Sequence, residues 1–153
     1  MTTIREYPPE VLNGQPLGAW TGEAYRRVVG AIRAELAVEG LTQPHWWTIN
    51  HAAGSPGRWT RAELAERLSA WEDLGLDFDE VFDELVHWGW LTEDGGTMTL
   101  TPGGEAGRRR AWERLAPVLE KTRAGVDPDD YVTAINVLRR VVANLGGDGN
   151  LPA

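Results

Sequence analysis

Apolar residues recur at helical spacing along most of this chain and alternate at strand spacing only once. Trp20, Ala24, Val28, Ile32 and Leu36 return every four residues, which predicts a helix over 17–38 with one apolar stripe, stopped by Gly40. Residues 1–16 hold three Pro and one Gly and read as an extended arm. Thr42 suits the N-cap of a second helix, with Pro44 tolerated in its first turn, running to about Ala53. After a GSPG loop, Thr60-Arg61-Ala62-Glu63 forms a capping box that opens a third helix, running to about Leu68. SAWEDLGL then reads as a turn or short helical link. Asp77 opens a fourth helix, whose buried face is Phe78, Val81, Phe82, Leu85 and Trp88 and which Gly89 stops. The segments WLTE and TMTLT flank Asp94-Gly95-Gly96, a tight turn, and predict a hairpin. Thr101-Pro102 starts a helix of about 102–123 with Ala111, Trp112, Leu115, Val118 and Leu119 as its stripe. Asp127-Pro128 starts a last helix, with Tyr131, Val132, Ile135, Leu138, Val141, Val142 and Leu145 on one broad face. GGDGNLPA is a tail, and no internal repeat is present.

Composition narrows the function classes. The 153 residues fit one domain with a proper core. There is no Cys, which excludes a disulfide framework, a thiolate nucleophile and a Cys-based zinc site. No apolar run approaches the roughly 20 residues needed to span a membrane. The start, MTTIREYPPEVLNGQP, lacks the basic-then-apolar order of a secretion signal, so a cytoplasmic location is expected. The net charge of −8 is concentrated: residues 68–107 hold ten acids and no Lys or Arg, while the remainder holds thirteen acids and fifteen bases.

The first and the last two helices have apolar faces wider than one small lobe covers, and the economical cover is a second copy of the chain. Four segments then resemble the MarR family of winged-helix regulators. RAELAERL (61–68) resembles the first motif helix. ELVHWGWL (84–91) resembles the end of the recognition helix and the first wing strand. LTPGGEAGRRR (100–110) resembles the second wing strand entering a dimerisation helix, and VLRRVVANLGG (137–147) the final helix. The resemblance implies a mainly α fold with a small β-hairpin wing: a winged helix-turn-helix lobe over 41–101, and a helical dimerisation region over 17–40 and 102–146. An arm over 1–16 and a tail over 147–153 complete the chain. It also implies a homodimer with a ligand crevice between each lobe and the dimerisation helices.

Three features depart from that family, all on the surface that would meet DNA. The link SAWEDLGLD is long. The wing tip is acidic and Gly-rich, at Glu93, Asp94, Gly95 and Gly96. The recognition helix carries Asp77, Asp79, Glu80, Asp83 and Glu84 with no Lys or Arg. Phosphate affinity comes from Lys and Arg. The expected double-stranded DNA contacts are therefore Arg58, Thr60, Arg61 and Arg67 around the third helix, His87, and Arg108, Arg109 and Arg110 behind the wing. Acids near a helix N-terminus also suit the dipole.

In the resembling family the crevice is walled by the first, second and fifth helices. This places Trp20, Tyr25, His45, Trp46 and Trp112 as ligand contacts for a flat, partly polar aromatic molecule. Trp at helical spacing is more often core, and two adjacent Trp are not expected to face one pocket. At most three of these five residues and Trp47 should touch a ligand, and Trp59, Trp71, Trp88 and Trp90 should pack the lobe. His45, His51 and His87 are too scattered for a metal site, and no Gly-rich phosphate loop follows a strand, so neither metal nor cofactor is expected. Glu23, Tyr25 and His45 are acid–base groups, but no spacing demands catalysis. Three functions follow: a ligand-responsive regulator, a dimer of the same fold that has given up DNA and binds or transforms a small molecule, and an acidic-faced adaptor for a basic protein.

Overall fold

A computed structural model describes residues 3–151; the first two residues of the arm and the last two of the tail lie outside the described residues. Seven helices and one hairpin make up the described chain: α1 (Pro9–Asn13), α2 (Leu17–Val38), α3 (Gln43–Gly54), α4 (Arg61–Ser69), α5 (Phe78–His87), β1 (Leu91–Asp94), β2 (Thr97–Leu100), α6 (Pro102–Arg123) and α7 (Pro128–Asn144). The architecture is mainly α with a two-stranded wing, as the sequence predicts. Part of the arm differs from its extended reading, because Pro9 is placed at a helix start, where its missing N–H costs nothing, and Gly14 ends the short turn of helix.

Capping explains where the elements begin. Thr60 Oγ1 accepts from the Glu63 amide, and the Glu63 carboxylate accepts from the Thr60 amide. Asp77 accepts from the amide of Asp79, and Asp127 from those of Asp129 and Asp130. Thr101 Oγ1 accepts from the Gly104 amide at 3.0 Å and donates to the Gly89 carbonyl at 2.5 Å, tying the start of α6 to the end of α5. In the hairpin, Leu91 pairs with Leu100 and Asp94 with Thr97, so Asp94 belongs to the strand. The turn is Gly95-Gly96 alone, both at positive φ, where a side chain would be strained. The wing is also fastened to the lobe: the Met98 amide donates to the Trp59 carbonyl, and the Gly57 amide to the Met98 carbonyl.

One core joins the lobe to the two longest helices. Ile49, Leu64, Leu68, Phe82, Leu85, Leu91 and Met98 bury themselves with Leu36 of α2 and Ala111 and Leu115 of α6. The α2 stripe thus divides along its length, since Leu36 is fully buried while Trp20 is 60% exposed. No residue of α7 is buried, although Val132, Ile135 and Val142 lie on it.

Trp90 is clamped where the wing meets α6. A methyl group at Gly104 would collide with the Trp90 carbonyl, and one at Gly107 with the Trp90 ring. Both glycines are buried on α6 and let its backbone lie directly on the indole. Overpacking of this kind costs about 1–3 kcal/mol. Gly107→Ala should lower stability by that amount in urea denaturation, outweighing the gain in helix propensity. A variant at least as stable as the parent would show that the indole has room to move.

Candidate nucleic-acid face and aromatic pocket

The face expected to meet DNA is built from α4, α5 and the wing, and Arg61 sits at their junction. Its Nη2 donates to Glu93 Oε1 of β1 at 2.5 Å and to Asp83 Oδ1 of α5 at 2.7 Å. Its Nε donates to both Glu93 oxygens at 3.0 Å, and Nη1 reaches Asp79 Oδ1 at 3.4 Å. The Arg61 side chain is 29% exposed and that of Glu93 25%. Hydrogen bonding to Glu93, and then to Asp83, holds the guanidinium still more firmly in its charged form. One positive charge among three carboxylates leaves this patch at a net −2. The acidic wing tip and acidic recognition helix, separate oddities in the sequence, thus converge on one arginine.

The other predicted DNA contacts are dispersed. Thr60 is occupied as the α4 cap. Arg58 pairs with Glu63 at 3.2 Å and covers the face of Trp59. The Arg67 Nε–H donates to His51 Nε2 at 3.1 Å, and its guanidinium also lies over Trp59. His87 is exposed at the end of α5. Behind the wing, Arg108 makes a two-pronged pair with Glu105, Arg109 lies 3.7 Å from the same carboxylate, and Arg110 reaches Glu39, the C-cap of α2, at 3.1 Å. The pairing holds the Glu105 carboxyl below its usual range, and the Glu39 carboxyl is lowered by Arg114 and Arg110. Arg67, Arg108 and Arg110 each bond to a residue of another segment, while Arg58 and Arg109 pair locally.

The link between α4 and α5 (residues 70–77) is long, as the sequence indicates, and it is pinned. Glu72 accepts from the amides of Leu74 and Gly75, closing a tight loop. Asp73 accepts from the Tyr25 hydroxyl and, at 2.6 Å, from Arg33, both on α2. Tyr25 therefore serves the link rather than a crevice. Trp20 hydrogen-bonds Gln15 at 2.5 Å near the start of α2.

A pocket of about 570 Å³ opens between α3 and α6, lined by Trp46, Trp47, Asn50, His51, Arg108 and Trp112. Of the five residues expected in a crevice, it brings together Trp46 and Trp112. Trp47 joins them, against the expectation that adjacent Trp diverge: neighbouring helix positions are only ~100° apart, and two long indoles reach one broad opening. Sequence reasoning missed Asn50, His51 and Arg108. The i+4 spacing from Trp46 and Trp47 puts Asn50 and His51 on the same side of α3, a usable signal, whereas Arg108 arrives from a distant helix. Trp59, Trp71 and Trp90 pack against the core, while Trp88 remains half-exposed.

His45 points elsewhere. It is 4% exposed, and its Nδ1 accepts from the Thr42 amide at 2.9 Å, which leaves the proton on Nε2 for donation to Glu84 Oε2 at 2.6 Å. Its ring lies 5.0 Å from that of Trp88. His45 thus closes the N-terminal cap of α3 and ties that helix to α5.

No family model and no curated protein matches the sequence. Solved structures match the fold along nearly its full length. A MarR family transcriptional regulator from Silicibacter pomeroyi superposes with a TM-score of 0.67 at 18% identity, over 91% of this chain and 99% of that one. The fold is the winged-helix fold of MarR-family regulators. The reduced form of MarR from Escherichia coli gives 0.63 at 20% identity, covering 87% and 98%. A Mycobacterium tuberculosis MarR family protein in complex with DNA gives 0.61 at 23%, covering 87% and 99%.

Burial lowers the His45 pKa, and the contact with Glu84 only partly offsets this. A histidine with a lowered folded-state pKa takes up its proton later than the unfolded chain does, so stability is lost as pH falls below about 6.5. The urea midpoint should therefore fall between about pH 7.5 and 5.5. His45→Gln, which keeps an acceptor for the cap, should flatten that decline. An equally steep decline in the variant would place the acid sensitivity in another group.

Proposed function

We propose that the protein is a MarR-type homodimeric transcriptional regulator in which a small aromatic molecule, bound in the Trp46–Trp47–Trp112 pocket, alters an intrinsically weak hold on double-stranded DNA. The observation that carries this reading is the complete winged-helix architecture together with an aromatic pocket between lobe and long helix. One neighbour of the same fold supports it in two structures, since the Mycobacterium tuberculosis protein has been solved both with DNA and with p-aminosalicylic acid. The dimer follows from surface that one copy leaves bare. Val132, Ile135 and Val142 on α7 and Leu17 and Trp20 on α2 are all substantially exposed, and a second copy pairing these helices would cover them. In this reading residues 17–40 and 102–146 form the dimerisation region, and residues 41–101 the DNA-facing lobe.

Weak DNA binding follows from the charges. Arg58, Thr60 and Arg67 on each lobe, with Arg109 behind the wing, are the groups best placed to approach phosphates. Arg61 would first have to leave three carboxylates. That enclosure favours a second reading: a dimer of the same fold that binds its small molecule and has no nucleic-acid role.

Sedimentation should show a dimer at micromolar concentration, and a monomer would remove the basis for the pairing. Fluorescence anisotropy with random duplex DNA at low salt should show binding with Kd on the order of 10⁻⁵ M, weakening steeply as salt rises. Absence of binding at those concentrations would overturn the regulator reading in favour of the second.

A further inference from the structure

His51 belongs to the pocket wall on α3 and is at the same time bonded by α4. It lines the pocket on α3 beside Trp47, and its Nδ1 hydrogen-bonds the Trp47 carbonyl at 2.8 Å. A carbonyl only accepts, so Nδ1 carries the proton and Nε2 is a bare lone pair. That lone pair accepts the Nε–H of Arg67, on α4, at 3.1 Å. The ring also lies about 6 Å from those of Trp59 and Trp71, at 6.0 and 5.9 Å, and the Arg67 guanidinium lies over Trp59. One imidazole therefore touches a pocket tryptophan backbone on one side and a helix α4 arginine on the other.

Only the neutral ring can hold both bonds. An imidazolium has two donors and no acceptor, so a proton placed on Nε2 turns the Arg67 contact into donor against donor and cation against cation. The charged groups around His51 sharpen this. Arg67 reaches it from α4, and Arg108 of α6, held by Glu105, lines the same pocket. Arg58 lies over the far ring, Trp59. Glu63 and Glu66 line a shallow cavity beside Trp59 and Arg67.

We propose that His51 is the residue through which the pocket acts on α4. A pocket occupant that draws the His51 ring away from Arg67, or a proton that adds to Nε2, breaks this bond and shifts α4, which begins at Arg61 beside its cap Thr60. This rests on the reading of the tryptophan pocket as a ligand site, but the coupling itself is testable with the proton alone as the probe. The proton adds to Nε2, no bond to carbon changes, and the displaced Arg67 Nε–H turns to another acceptor or to water.

The experiment is a ¹⁵N nuclear magnetic resonance titration of the full chain from about pH 8 to pH 5.5, a range that spans ordinary imidazole titration. It follows the His51 ring nitrogens, the Arg67 Nε–H, the α4 amides and the tryptophan indole N–H signals. The Arg67 Nε–H, the α4 amides and the Trp47 indole should shift with the midpoint of His51. Trp20, far along α2, should not. In His51→Gln, whose amide oxygen accepts from Arg67 at every pH, the Arg67 and α4 shifts should disappear. If His51 titrates while Arg67 stays still, the coupling does not exist, and this outcome needs no variant. If Arg67 and α4 move equally in His51→Gln, another group drives them and the proposal is overturned. Each of these outcomes reads the same whether or not the protein binds DNA.

Discussion

The part of the lobe built from α4, α5 and the wing is organised by one guanidinium. Arg61 begins α4, and its partners lie on β1 and α5, so a single side chain holds the wing, the recognition helix and the first motif helix in register. The pairing is strong for a surface feature, because it is two-pronged toward Glu93 and largely screened from water. The same bonds occupy one of the arginines that the sequence offers as a phosphate contact.

A second constraint comes from surface left uncovered. A lobe of this size satisfies its own core with the C-terminal end of α2 and the N-terminal half of α6, and among the described residues α7 and the start of α2 are left largely uncovered. The long helices therefore have two roles, closing the lobe at one end and offering apolar surface at the other. Between α3 and α6 lies the tryptophan pocket, and His51 of its wall is hydrogen-bonded by Arg67 of α4.

Most of the fold was legible because local rules determine it. Thr60, Asp77, Thr101 and Asp127 each start a helix through bonds that span two or three residues, and Gly95-Gly96 specifies its own turn. Stripe periodicity located the buried residues of α5 at Phe78, Val81, Phe82 and Leu85, while Trp88 of the same stripe is half-exposed. What remained hidden depends on side chains meeting across distance. Glu93 lies 32 residues from Arg61, and Asp73 lies 48 from Tyr25, so neither pair leaves a trace in sequence spacing. The site was half legible for the same reason. Trp46 and Trp112 were found from their helices, but His45 and His51 look equivalent in the sequence. Only the fold shows that one is buried against Glu84 while the other lines the pocket. The acidic block was visible as composition, but nothing in the sequence indicated that three of its carboxylates close on one arginine.

The central claim is that the carboxylates around Arg61 limit the hold on DNA. Its most direct test compares the wild-type chain with the double variant Asp83→Asn, Glu93→Gln by anisotropy on random duplex DNA across a salt series. The amides keep acceptors for Arg61 while bringing the net charge of the patch from −2 to zero. The account predicts affinity about tenfold higher at low salt and a log–log salt slope steeper by about one, the signature of one more phosphate contact. Unchanged affinity and slope, in a variant that folds and dimerises normally, would contradict it and leave the acidic enclosure of Arg61 as architecture alone.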